Sequence, residues 1–274
     1  MSYDGMPSRP TIGNMSIITL LTDFGWKDGY VGVMKGVILS IAPHVALVDI
    51  SHDVAPQDVR DAAYVLSTAV PYFPFDTVHL IVVDPGVGSD RRAVAVRTAH
   101  GTFVAPDNGV LSYVLAASPP QIAVNLTNPQ YHLARVSSIF HGRDIFAPAA
   151  AHLARGVPIG ELGEPVGGLV TFPMPKPQTQ ADGTLSGQVI HVDHFGNAIT
   201  NLRREDIPWA DGVLVLEIGG QDISGLQETY AQARPGKPLA LIGSSGHLEI
   251  AIAGGNAAQR LSVHVGDEVR LWRR

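Results

Sequence analysis

The sequence predicts two architectures in tandem. The first is an α/β domain whose mostly parallel sheet carries helices on both faces, and the second is an all-β, barrel-like domain. Three observations lead there. Short, β-branched apolar runs alternate with stretches of helical apolar spacing through the first half. The segment "TFPMPKPQTQADG" at 171–183 then brings three prolines and no period, as a linker would. After it come six short β-rich segments separated by glycine turns. The expected boundaries are 15–170 for the α/β domain, 171–183 for the linker and 184–274 for the β domain.

The elements follow in order. "SIITLLTDFG" reads as a buried strand running into a turn, and "DGYVGVMKGVILSIA" as a helix with Asp28 as its N-cap and Pro43 as its stop. "HVALVDIS" is a second strand, "APQDVRDAAYVLSTAV" a second helix and "TVHLIVVD" a third strand. "RAVAVRTAHGTFVAPDNG" predicts a hairpin with Ala-His-Gly at its tip, "IAVNLTN" another strand, and "GRDIFAPAAAHLARG" a helix ended by Gly156. The β domain is built from "LSGQVIHVD", "AITNL", "VLVLEIGG", "PLALIG", "HLEIAIAG" and "EVRLWRR".

Bulk properties remove several function classes. At 274 residues, 45% hydrophobic and 16% charged, the chain has enough apolar content for real cores. A net charge of -6 without any Lys/Arg block argues against nucleic-acid binding. The absence of cysteine excludes disulfides, thiolate nucleophiles and Cys-ligated zinc. The first residues, "MSYDGMPSRPTIGNM", lack the apolar centre of a signal peptide, and no run approaches a membrane span, so a cytoplasmic protein is expected.

Ligands of open parallel sheets bind beyond the carboxyl ends of the strands. Asp23 and Asp84 both stand where predicted strands finish, whereas Asp49 lies inside "VDIS" and ranks below them. Such an acid can equally cap a helix or satisfy turn amides. Alternation places Arg91 and Arg92 on opposite faces, one turned over Asp84 and the other towards solvent. "FHGRD" gathers His141, Arg143 and Asp144 before a helix, with Asp144 as its natural N-cap. "DFG" without a Gly-rich loop is no kinase signature, and "GVG" before a strand is no dinucleotide fingerprint. The histidines lack HExxH spacing, so no dedicated metal site is expected.

Taken together, "TDFG", "VDPGVG" with Arg91, "APDNG", "FHGRD", "DHFGN" and the late "NAA" resemble the S-adenosyl-L-methionine hydroxide adenosyltransferase family, over nearly the whole chain. The sequence is also similar to the fluorinating and chlorinating enzymes that act on the same substrate. The resemblance implies cleavage of S-adenosylmethionine by water into adenosine and methionine, with no cofactor. It implies homotrimers with each site between subunits. It puts a catalytic Asp-Arg-His triad on Asp84, Arg91 and His141 and a ribose-holding acid on Asp23. Asp193 and Asn197 then lie near the methionine amine and the adenine, Ser244 and Ser245 in the methionine carboxylate pocket, and Asn256 and Ala257 at the adenine edge. The halogenases carry a tyrosine at the Asp84 position, a serine at Gly142 and an inserted loop in the hairpin, and all three differences favour water as nucleophile.

The chemistry fits these residue types. A sulfonium leaves as a neutral thioether and needs no general acid, so the difficulty lies in activating water. Two rival readings remain at this point. One is a metal-dependent phosphohydrolase using Asp23, Asp84 and His141, and the other a non-catalytic adenosine or S-adenosylmethionine sensor.

Overall fold

The computed structural model describes residues 15–209 and 212–274. The N-terminal stretch considered above for a leader therefore lies, up to residue 14, outside the described residues. The chain divides into two compact units, Met1–Phe172 and Pro173–Arg274.

The first unit is a seven-stranded sheet of order β2-β1-β3-β5-β4-β6-β7. Its strands are β1 (Ile17–Thr22), β2 (Ala46–Ser51), β3 (Val78–Val82), β4 (Ala93–Thr98), β5 (Gly101–Pro106), β6 (Ile122–Asn125) and β7 (Glu164–Pro165). β2, β1, β3 and β5 run parallel, and the β4–β5 hairpin turns the remaining edge antiparallel.

Strand alternation sends residues to two separate cores. On one face Ile18, Leu20, Leu80, Val82 and Val104 pack with Met34 and Ile38 of α1 (Tyr30–Ile41). The alanines of a later helix join them. On the other face Leu21, Ile81, Val94, Val96 and Phe103 meet Ala62 and Leu66 of α2 (Val59–Ala69) and Val114 of α3 (Ser112–Ala117). That later helix, α4 (Ala147–Ala154), follows a single π-helical turn at Gly142–Phe146. Small side chains let it lie close to α1 and to β3.

Two expected caps fall elsewhere. α1 begins at Tyr30 after Gly29, with no side-chain cap, so Asp28 lies outside it. Asp144 caps nothing. It sits wholly buried inside the π-helical turn, where its carboxylate accepts from the Ser137 N–H and from Arg143. By contrast Asp58 does cap α2, accepting from the Arg60 and Asp61 N–H groups.

The second unit is a nine-stranded sheet made of β8 (Gln178–Thr179), β9 (Leu185–Val192), β10 (Ala198–Arg203), β11 (Leu214–Ile218), β12 (Gln221–Ser224), β13 (Leu226–Gln227), β14 (Pro238–Ile242), β15 (His247–Ile252) and β16 (Glu268–Arg273). Its path is β12-β11-β16-β9-β10-β15-β14-β13. β12 at one end packs against β14 near the other, so the sheet curls into a nearly closed barrel. Leu185, Val189, Leu216, Leu248, Ile250 and Leu271 fill it, together with Ala257 and Leu261 of α5 (Ala257–Leu261). β8 falls inside the proline-rich segment and pairs with β9. Among the described residues no helix is long and apolar enough to cross a membrane.

Candidate active site

Register explains why two acids share one edge. β1 and β3 are parallel neighbours with Thr22 opposite Val82, so Asp23 and Asp84 emerge together at their carboxyl ends. Asp107 emerges after β5 in the same row, and there the ordinary structural reading holds. It is buried, takes Arg92 Nε at 2.8 Å and accepts from the Val170 N–H at 2.8 Å. Arg92 therefore does not project freely into solvent as alternation implied. It is spent on Asp107 and on the Gly168 carbonyl at 2.7 Å, because β4 starts only at Ala93 and the preceding turn sets both arginines.

Arg91 turns back over Asp84. Its Nε donates to both carboxylate oxygens, at 2.9 and 3.0 Å, and its Nη2 to Oδ2 at 2.5 Å. The same Nη2 lies 2.8 Å from Nδ1 of His141, fifty residues further along. The carboxylate and guanidinium are 5% and 10% exposed, deep enough for direct hydrogen bonding to outweigh solvent screening. An Arg cannot accept, so Nδ1 of His141 must hold a lone pair, and the neutral ring carries its proton on Nε2. Burial pushes the His141 pKa below the usual imidazole value, and the Arg91 charge adds to this against smaller opposing pulls from Asp84 and Asp144. The ring thus stays neutral at pH 7.

Three devices hold this geometry. Gly88 has φ +77°, and a Cβ there would stand 2.4 Å from the Ser138 carbonyl oxygen. Glycine lets the 84–91 turn seat on the loop that carries His141. The carboxylate of Asp144 fastens that loop at Ser137; burial raises its pKa, but hydrogen bonds from Arg143 and Ser137 outweigh this and leave it low. Finally, Phe24, Tyr30 and Phe140 stand with ring centroids 5.3–5.9 Å apart, joining the loop of Asp23 to the loop of His141.

These loops enclose a cleft of about 290 Å³ lined by Asp23, Phe24, Gln57, Asp84, Phe140 and His141, among others. A cavity of about 710 Å³ in the second unit, lined by Arg204, Trp209 and Glu228 among others, contains none of the expected site residues. Convergent titratable groups, and not size, mark the smaller cleft. Asp23 accepts from the Gln57 N–H at 2.7 Å. Asp23, Asp84 and His141 border one space, but among the described residues no three His, Asp or Glu side chains are arranged to hold a metal ion.

In the second unit the expected residues fall in two places. Asp193 accepts from the Phe195 and Asn197 N–H groups at 2.9 and 2.8 Å and from Asn197 Nδ2 at 2.9 Å. Asn256 caps α5, accepting from Gln259 N–H, and stands so close to Gly196 that a Cβ at 196 would meet its Cγ at 2.0 Å. Ala257 is buried beside it, so Asp193, Asn197, Asn256 and Ala257 form one cluster. Ser244 and Ser245 lie on the β14–β15 turn, at the far end of the β10–β15 ladder from that cluster. The sequence reading missed Tyr230, whose hydroxyl donates to the buried Glu249 carboxylate at 2.6 Å. Burial pushes both of their pKa values up, and the charge of Asp193 adds to this. It also gave little sign that Thr22, Lys35 and His52 bond in one chain with Asp49. Their one signal was the spacing of Asp49 and His52 at the end of β2.

Comparison with known proteins agrees across nearly the whole chain. Residues 18–163 match the SAM hydroxide adenosyltransferase N-terminal domain, and residues 187–270 the C-terminal domain. An (R)-S-adenosyl-L-methionine hydrolase of Salinispora arenicola is 42% identical over 93% of this chain and 97% of its own length. The Thermus thermophilus enzyme of that name is 41% identical over 94% and 100%. Fluorinases stand further off, that of an Actinoplanes species at 32% identity. In structure the chain is similar to an uncharacterized conserved protein from Thermotoga maritima, with TM-score 0.87, 38% identity and coverage of 93% of this chain and 100% of that one. On the strength of both matched domains and these relatives, this chain belongs to the SAM hydroxide adenosyltransferase family.

Proposed function

We propose that this chain hydrolyses S-adenosyl-L-methionine, with water attacking C5′ of the ribose. The new C5′–O bond forms as the C5′–S bond breaks. The electron pair of the C5′–S bond leaves on sulfur as neutral methionine, adenosine is released and the proton of the attacking water passes to solvent. No cofactor is required, because the sulfonium is its own leaving group.

The observation that supports this reading most is the hydrogen-bonded Asp84–Arg91–His141 chain in a cleft that also contains Asp23. The chain is polarised for stabilising hydroxide rather than for abstracting a proton. Oδ2 of Asp84 accepts twice from Arg91 and Nδ1 of His141 faces Arg91, so the neutral imidazole has no lone pair left for a proton and Asp84 keeps only the second lone pair of Oδ1. What the set offers is donors, a guanidinium and Nε2–H, which favour negative charge developing on oxygen. In this reading Asp84 orients Arg91, Arg91 fixes the His141 tautomer, and Asp23 takes the ribose hydroxyls. Asp193, Asn197, Ser244, Ser245, Asn256 and Ala257 contribute the adenine and methionine contacts. A homotrimer that shares its sites between subunits, in the cytoplasm, completes the proposal. Exposed Ile139 beside the cleft and exposed Phe195 beside Asp193 are the side chains that such an assembly would cover.

The names of the relatives specify the (R) form, so the sulfonium epimer is the finer part of the proposal. The test is incubation of each epimer in oxygen-18 water, followed by mass analysis. Label on the 5′ oxygen of adenosine, formed faster from the (R) epimer, is expected. Unlabelled adenosine, or none from either epimer, would overturn the reading.

A further inference from the structure

Behind the cleft runs a second polar chain that the proposed reaction does not use. It begins at the surface with Lys35 on α1, whose Nζ donates to Oδ2 of Asp49 on β2 at 2.6 Å. Oδ1 of Asp49 lies 2.9 Å from Nε2 of His52, and Nδ1 of His52 lies 2.8 Å from the Thr22 hydroxyl. The Thr22 oxygen in turn accepts from the Phe24 N–H at 3.3 Å.

With a neutral imidazole every link has one direction. An ionised carboxylate only accepts, so His52 carries its proton on Nε2. Its Nδ1 lone pair then accepts from the Thr22 hydroxyl, leaving the Thr22 oxygen free to accept from the Phe24 N–H. Burial pushes the Asp49 carboxyl up, but hydrogen bonds from Lys35 and His52 outweigh that and hold it below the usual range. A second tie runs from the Gly25 N–H to the His52 carbonyl at 2.8 Å.

Thr22 and Phe24 are therefore clasped on either side of Asp23. The carboxylate of Asp23 itself grips the N–H of Gln57, a residue held at φ +68° in the loop that His52 opens. The His52 ring and the Thr22 side chain are shut off from solvent, where an imidazole and a hydroxyl are costly unless fully bonded. Closing the end of β1 would need only apolar packing. A directed chain of four side chains that ends at the residue before Asp23 is better explained by the demands of that carboxylate.

We propose that Lys35, Asp49, His52 and Thr22 are positioning residues that fix the Asp23 carboxylate against the ribose. This rests on the functional reading above. The test is calorimetric titration of the full chain with adenosine, comparing wild type, Thr22→Val, Asp23→Ala and the double variant, beside steady-state kinetics. Thr22→Val is expected to weaken adenosine binding about tenfold, the loss of roughly one hydrogen bond's worth of preorganisation. KM should rise while kcat falls by less than about threefold, and Thr22→Ser should restore both. In the Asp23→Ala background Thr22→Val should change affinity by less than about twofold. Additive losses, or unchanged affinity in Thr22→Val, would overturn the proposal while leaving the hydrolase reading intact. Wild-type protein that bound no adenosine would instead overturn the reading itself, and this inference with it. Should Thr22→Val fail to fold, Asp49→Asn, at a partly exposed position, enters the same cycle with the same expected pattern.

Discussion

The two units hold their expected site residues in opposite ways. In the first, Asp84, Arg91 and His141 bond chiefly to one another across separations of seven and fifty residues, and a cleft opens beside them. In the second, Asp193 spends its carboxylate on two N–H groups and an amide of its own loop, while Asn256 spends its oxygen on the cap of α5. The first arrangement keeps charged and protonated groups poised for a reacting molecule. The second builds a rigid shape, with neighbouring atoms left to meet whatever binds. Under the proposed reading, chemistry belongs to an α/β sheet edge and recognition to a barrel loop.

The sharpest way to break this contrast is Arg91→Lys. A lysine keeps the charge but not the fork that reaches both carboxylate oxygens and an imidazole. Adenosine formation is expected to fall about 10²–10³-fold in kcat, the usual loss when a preorganised donor is removed. An unchanged kcat would reduce the triad to a structural ion pair. Thermal unfolding of the same variant separates a loss of chemistry from a loss of folded protein.

A paired substitution asks the same question through the backbone. Gly88 and Gly196 both have positive φ, near +77° and +83°, and both lack room for a Cβ. Each Ala variant should lose about 1–3 kcal/mol of stability in denaturant melts. Their functional signatures should part, with Gly88→Ala lowering kcat because the Asp84 turn lifts off Ser138, and Gly196→Ala mainly raising KM. If both variants showed the same signature, the division of labour would fall.

The smallest effect separates two histidines of the first unit. His79 lies at the other end of the sheet from the cleft, bonded to the Thr19 hydroxyl and stacked on Phe103, and burial lowers its pKa to about 4. Since its unfolded value is near 6.5, the unfolded chain binds a proton that the folded chain refuses between those values. Its stabilising contribution is whole above about pH 6.5 and declines as pH falls towards about 4. A loss of about 1 kcal/mol is expected by roughly pH 5.5, and His79→Gln should flatten that slope without altering kcat. His141→Gln should do the reverse in activity.

Much of this was legible in the residues. Strand and helix periods located every long element of both units, because a period of two or 3.6 is imposed by local geometry alone. The short pieces β7, β8, β12, β13 and α5 escaped, since segments of two to five residues are held by neighbours and not by pattern. Asp107 and Asp84 look alike in sequence, each an acid at a strand end before a glycine turn. Only the partner distinguishes them, a loop-binding Arg92 for one and the His141-bound Arg91 for the other. Asp144 misled for a related reason, because an acid before an apolar helix reads as a cap until the π-helical turn draws it inside.

By itself the sequence determined the two architectures, the parallel strands whose ends present Asp23 and Asp84, and the residue types that can stabilise a hydroxide. Tertiary structure alone decided that the Arg91 fork closes on both Asp84 and His141, which tautomer His141 keeps, and that Lys35, Asp49, His52 and Thr22 join behind Asp23. The physical reason is directionality. Apolar periods act along the chain and can be read from it, whereas a hydrogen bond exists only once donor and acceptor from distant segments share about 3 Å of space.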